Sequence, residues 1–178
     1  PMSWLSTDIN LPYLLGLSRF PNFGARNLSK LKKLFPSPEA AWRANLAALG
    51  RAGLDAAVAS EFIAWRATAD PSTALDQIKK ENIKIVTVDD PLYPPLLKEI
   101  YDPPVVLYYK GRLVADEKLM LAVVGSRLIS PYGLQITPEI ISPLARYLTI
   151  VSGLAIGVDA LAHLSAIKAR GRTIAVLG

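Results

Sequence analysis

Leu119-Met120-Leu121-Ala122-Val123-Val124 runs without a polar side chain into Gly125-Ser126-Arg127. An apolar run of that length, with no polar alternation, is the pattern of a strand covered on both faces, as in a parallel sheet. A second strand, Tyr147 to Val151, ends in the same way. It passes through Ser152-Gly153-Leu154-Ala155-Ile156-Gly157 into a helix, Val158 to Arg170, which Gly171 closes. Thr173 to Leu177 is the next strand. Strand, loop, helix and strand in succession predict an α/β fold with a doubly wound parallel sheet.

Upstream, Ile83 to Val88 and Val105 to Tyr109 are β-branched and read as two further strands. Between them Pro91, Pro94, Pro95, Pro103 and Pro104 remove amide donors and fix φ. That predicts an ordered loop with at most a short helix near Leu96 to Ile100. A further helix is expected over Gln135 to Arg146, interrupted by Pro138 and Pro143. Before residue 70 the apolar spacing is helical over Leu11–Leu17, Asn27–Phe35, Pro38–Leu49 and Leu54–Ala67, which predicts a small helical bundle. Asp70-Pro71 opens one more helix, Ser72 to Glu81. The change of period sets the expected domains: 1–69 helical, 70–178 strand-bearing. Gly178 directly follows a strand, where this fold places a ligand loop and another helix, so the sequence reads as the front portion of a longer protein.

Composition narrows the function classes. Of 178 residues 51% are apolar and 20% charged, the profile of a chain with a real core. Cysteine is absent and His163 is the single histidine, which excludes disulfides, thiolate metal sites and multi-histidine metal centres. No apolar run approaches the length of a membrane span, and residues 1–10 lack the basic region and apolar stretch of a secretory signal. A reducing cytoplasm fits these features. The net charge of +5 is unevenly spread: residues 1–66 hold eight Lys and Arg against four acids, and the remainder twelve against eleven. A basic front meets a polyanion or serves as a solvated face.

Two loops carry candidate chemistry, because open α/β sheets bind ligands at the carboxyl ends of their strands. In the first, Gly125 lets the backbone approach a ligand, Ser126 offers a hydroxyl and Arg127 a fork suited to phosphate. The loop continues through Ser130-Pro131-Tyr132-Gly133. In the second, Ser152, Gly153 and Gly157 lie between a strand and a helix N-terminus, the setting of an anion-binding nest. The second loop is neither G-x-G-x-x-G nor a Walker A loop, so nucleotide hydrolysis has no support. Asp159 and His163 are four apart and share a helical face. They read either as a polar pair lining the cleft or as a helix cap with a hydrogen-bonded histidine. No nucleophile accompanies them, and a catalytic dyad is the weaker reading.

At these loops the sequence resembles the DNA-processing protein A (DprA, also Smf) family. The resemblance is carried by Asp90-Pro91-Leu92-Tyr93-Pro94-Pro95-Leu96-Leu97 with Ile100-Tyr101-Asp102-Pro103-Pro104 and Lys110-Gly111. It continues through Ala122-Val123-Val124-Gly125-Ser126-Arg127 with Pro131-Tyr132-Gly133. The last block is Val151-Ser152-Gly153-Leu154-Ala155 with Gly157-Val158-Asp159-Ala160 and Ala162-His163, then Gly171 to Gly178. It is strong from Ile83 to Gly178. The helical front more loosely resembles the sterile-alpha-motif-like or helix-hairpin-helix-like domain these proteins often carry.

The resemblance implies an incomplete Rossmann-like domain that binds single-stranded DNA, without catalysis and without a cofactor, and delivers RecA recombinase onto it in natural transformation or DNA uptake. It places Gly125, Ser126 and Arg127 on the family's phosphate-contacting turn and Ser152, Gly153 and Gly157 on its second anion loop. Tyr132, Asp159 and His163 join the expected DNA-binding set. A homodimer surface and much of the RecA surface belong, by the same resemblance, to the part of the domain after Gly178. Ile156 stands where the family usually has an arginine. The rival reading is an enzyme of the nucleoside monophosphate phosphoribohydrolase type. Such enzymes show a Pro-Gly-Gly-x-Gly-Thr loop and a paired Arg and Glu, and neither appears here. A third reading is an interaction module whose helical front binds a protein partner.

Overall fold

The computed structural model describes residues 4, 10–114 and 119–177. The start of the expected helical domain and the closing Gly178 lie outside them. Two compact units divide the chain, Pro1–Ala115 and Asp116–Gly178.

The first unit opens with α1 (Leu11–Arg19), α2 (Ala25–Leu34), α3 (Pro38–Arg43), α4 (Leu46–Arg51), α5 (Ala56–Arg66) and α6 (Pro71–Lys80). Side chains at the helix starts set several boundaries. Ser37, Asn45, Asp55 and Asp70 each accept a backbone amide from the first turn of the helix that follows. Asn45 explains one departure from expectation: the helix foreseen over Pro38–Leu49 is two helices, because its side chain caps α4 through the Ala48 amide. The core is aromatic. Phe62, fully buried, meets Phe20, Phe23, Trp42 and Trp65 with ring centroids 4.7–6.4 Å apart.

The same unit holds β1 (Lys84–Thr87), the single-turn helix α7 (Pro95–Lys98) and β2 (Val106–Tyr109). β1 and β2 pair antiparallel, Lys84 opposite Tyr109 and Thr87 opposite Val106. They form their own two-stranded sheet and do not join the parallel one. Val105 and Val106 pack against the helical core, so the unit boundary falls after residue 115, where the change of period had placed it at 69–70. The proline-dense connection is tied down at both ends. Asp90 accepts the Thr87 amide and hydroxyl, and Tyr93, buried, donates its hydroxyl to the Pro104 carbonyl at 2.8 Å. Burial pushes the Tyr93 phenol above its ordinary pKa.

The second unit contains β3 (Met120–Ala122), α8 (Pro131–Leu144), β4 (Thr149–Ser152), α9 (Val158–Lys168) and β5 (Thr173–Ala175). The strands are parallel in the order β3-β4-β5. Backbone bonds from Val123 to Val151 and from Val176 to Ser152 carry the pairing one step past the strand ends. Ile141 of α8, Ala145 at its C-cap, Ala162 and Ala166 of α9 and Ile150 of β4 form the core, with Leu121 and Val123 packed against it. This is a mixed α/β architecture with a small parallel sheet, an incomplete Rossmann-like fold. Among the described residues no helix is long and apolar enough to cross a membrane.

α8 runs unbroken through Pro138 and Pro143, contrary to the interruption expected from those prolines. Each proline removes one bond, to the carbonyls of Leu134 and Glu139 respectively. Both of those residues are exposed, so water can serve the freed carbonyls. Ser130 caps the helix through the Gly133 amide, and Ile141 anchors it to the core.

Two stability changes follow. A Cβ on Gly16 would stand 2.7 Å from Trp42 Cζ3, within an aromatic cluster that has no room to yield. Gly16→Ala should lose about 1–3 kcal/mol despite alanine's better helix propensity. Pro138→Ala should restore an interior helical bond and raise stability by about 1–2 kcal/mol. Chemical denaturation of each variant measures both.

Candidate nucleic-acid interface

The loops after β3 and β4 meet at the start of α9. Gly157 adopts φ +92, and a Cβ there would lie 2.2 Å from the Ser126 carbonyl oxygen and 2.8 Å from Arg127 Cα. Gly125 faces the next residue of the same helix: its Cβ would lie 2.6 Å from Val158 Cβ. The Val158 amide then donates to the Ser126 carbonyl at 3.1 Å. The sequence foresaw glycine at 125 for close approach by a ligand. The close approach that the structure shows is by the protein's own Val158.

The polar side chains divide into two sets. Ser152, Asp159 and His163 are buried. Ser152 donates its hydroxyl to the Val123 carbonyl at 2.7 Å, clamping β4 to β3. Asp159 Oδ2 accepts the Gly153 amide at 3.2 Å, which ties the second loop back to α9. The helix cap position belongs to Gly157, with Asp159 two residues inside the first turn, where a carboxylate complements the helix dipole.

His163 does not bond Asp159, as the helix-cap reading had it; its Nδ1 lies 2.6 Å from Thr173 Oγ1. The Thr173 hydroxyl donates to the Ile150 carbonyl at 2.9 Å, so its single proton is engaged. Nδ1 is therefore the donor in that contact, and the buried Nε2 has no hydrogen-bond partner among the described residues. The Asp159–His163 pair thus becomes two separate structural links.

Gly125, Ser126, Arg127, Tyr132 and Gly153 are exposed. The Ser126 hydroxyl closes a local turn, donating to the Leu128 carbonyl at 2.8 Å and accepting the Leu128 amide at 3.1 Å. Tyr132, at the second position of α8, presents a ring that is 72% exposed. Arg127 makes no hydrogen bond or ion pair with any described residue. The second loop exposes Leu154, which takes the left-handed φ of +59, and Ile156. No group of three His, Asp or Glu able to hold a metal occurs among the described residues. Sequence reasoning missed Val158, Thr173 and the backbone of Leu154. The glycine at 125 hints at a close neighbour, but nothing in the sequence says which.

The pattern of the family described as DNA recombination-mediator protein A matches residues 84–178, which include both loops. The chain belongs to that family. Protein Smf of Synechocystis sp. is 40% identical over 172 residues, 93% of this chain and 43% of that protein. DNA processing protein DprA of Streptococcus pneumoniae is 48% identical over 89 residues, 50% of this chain and 32% of the relative. The X-ray structure of DNA processing protein A (DprA) from Streptococcus pneumoniae superposes with a TM-score of 0.72 at 30% identity, covering 93% of this chain and 57% of that one. The matches therefore span 32% to 57% of the length of these relatives. The exposed side chains without a hydrogen bond on and just after these loops include those of Arg127 and Tyr132 and the apolar Val124, Leu128, Leu154 and Ile156.

Gly157→Ala should be among the most damaging single changes in this unit. It combines a left-handed backbone with a contact far inside van der Waals distance. A loss above about 2 kcal/mol in denaturant unfolding is expected, with Gly153→Ala milder because its Cβ would meet only the Asp159 carboxylate at 3.0 Å.

Proposed function

We propose that the loops after β3 and β4 bind single-stranded DNA through its phosphate backbone, and that the full-length protein uses this contact to load RecA recombinase during DNA uptake and recombination. The observation that carries the reading is Arg127. It is an exposed guanidinium with no partner among the described residues, held on a loop that Gly125 and Gly157 lock against α9. A fixed backbone bearing a free fork suits bidentate phosphate contact. Tyr132 adds an exposed ring on which a base could stack. The names of the relatives, DNA processing proteins, support the same class of ligand. Ser152, Asp159 and His163 act in this reading as the supports that hold the loops, and Gly153 through its amide bond to Asp159. The protein acts in the cytoplasm, by binding alone. The partners this reading assigns to the full-length protein are RecA recombinase and a second copy of the chain.

Arg127→Ala in the full-length protein should weaken binding of a labelled single-stranded oligonucleotide about tenfold, since a charge-assisted contact is worth roughly 1.5–3 kcal/mol. The slope of log K against log salt should shrink by about 0.7. Melting temperature should not change. Wild-type binding by Arg127→Ala, beside loss of binding in Asp159→Ala at unchanged melting temperature, would overturn the assignment.

A further inference from the structure

We propose that the helical front carries a second, separate nucleic-acid surface: the exposed face of α2, which fits the phosphate backbone of duplex DNA. α2 reads Ala-Arg-Asn-Leu-Ser-Lys-Leu-Lys-Lys-Leu over Ala25–Leu34. At about 100° per residue, Arg26, Lys30 and Lys33 fall within roughly 60° of one another. The buried Leu28 and Leu31 lie on the opposite side, so the helix splits cleanly into an apolar face and a cationic stripe. The stripe extends about 10 Å along the helix, at 1.5 Å per residue, long enough to meet neighbouring phosphates of one duplex strand.

Among the described residues no acid forms an ion pair with this stripe: Glu61 accepts from the Asn22 amide side chain and Asp55 from the Ala57 backbone amide. Lys32, on the flank, pairs with Asp89. Arg43, on the next helix, pairs with Glu39 at 2.8 Å. Arg26 and Lys33 are exposed and make no ion pair or hydrogen bond with any described residue. Lys30 reaches only a neutral acceptor, the Gly53 carbonyl, at 2.8 Å, on the turn that follows the exposed Arg51 at the end of α4.

Arg26 also stands in the first turn of α2, where the helix dipole disfavours a cation, and that turn holds no acid. Gly24 caps the helix without a side chain, so the first amides face outward beside Arg26. A bound phosphate would resolve both features. Duplex is favoured over single strand because α2 exposes no aromatic ring on which bases could stack: Phe23 and Phe35 at its ends are buried. None of these residues belongs to the loops after β3 and β4.

The test uses the whole 178-residue chain with a labelled 30-bp duplex, a 30-nt single strand, and phosphatidylserine–phosphatidylcholine vesicles. The double variant R26Q/K33Q should bind duplex about tenfold more weakly, with its salt slope reduced by about 1.8, and melt like wild type. The control K79Q/K80Q removes equal charge from exposed positions on α6 and should bind duplex like wild type. Unchanged duplex binding by R26Q/K33Q, an equal loss in the control, a loss seen only with vesicles, or no duplex binding by the wild-type chain would each overturn the proposal. Arg127→Ala run in parallel separates the two surfaces. If it loses single-strand binding while R26Q/K33Q keeps duplex binding, the loop reading stands and this one falls; the reverse result has the opposite meaning.

Discussion

Everything distinctive in the second unit depends on the contact between Gly157 and the backbone of Ser126 and Arg127. Two loops from successive strands would ordinarily be free to move apart. Here one backbone, in a conformation open chiefly to glycine, sits directly against the other. Val158 then fills the space that the absent side chain of Gly125 leaves, and its amide bonds the Ser126 carbonyl. The result is a rigid rim along the carboxyl ends of the strands. Rigidity matters for recognition because a contact already fixed in place loses little conformational entropy when a ligand arrives.

The buried polar groups behind that rim serve the same end. Ser152 holds β4 to β3, Asp159 holds the loop to α9, and His163 reaches across to Thr173 on β5. Each makes at least one hydrogen bond within the protein, while Nε2 of His163 is buried without a partner among the described residues. A small three-stranded sheet with an apolar core built largely from alanine and isoleucine gains definition from such links, because removing one partner leaves the other buried and unsatisfied.

How much of this was legible in the sequence depends on the physics of each element. The five strands and most helices could be read, because side-chain period is a local property. Pairing is not local. Ile83 to Val88 and Val105 to Tyr109 read as strands, but nothing local says that they pair antiparallel with each other or that Val105 and Val106 pack against helices far upstream. The prolines of α8 misled for a related reason: their cost is set by where the freed carbonyls point, which only burial reveals. The loops were located correctly from their glycines and their place after apolar strands. The reason for the glycines was not visible, since Val158 and the Ser126 carbonyl come close only once the sheet has formed. Asp159 and His163, four apart, promised a pair. Their actual partners, Gly153 and Thr173, lie in other elements and carry no signal at that spacing.

The division between engaged and unengaged groups also bears on what kind of ligand the rim suits. Reading a base sequence requires side-chain donors and acceptors aimed outward at base edges. Those candidates, Ser126, Ser152, Asp159 and His163, are turned inward or closed into turns. What remains outward is one guanidinium, one tyrosine ring and the apolar side chains of Val124, Leu128, Leu154 and Ile156. An arginine and an aromatic ring recognise features common to every nucleotide, a charged phosphate and a π-face. Under the function proposed above, a rim of this composition suits contact with a strand without regard to its sequence.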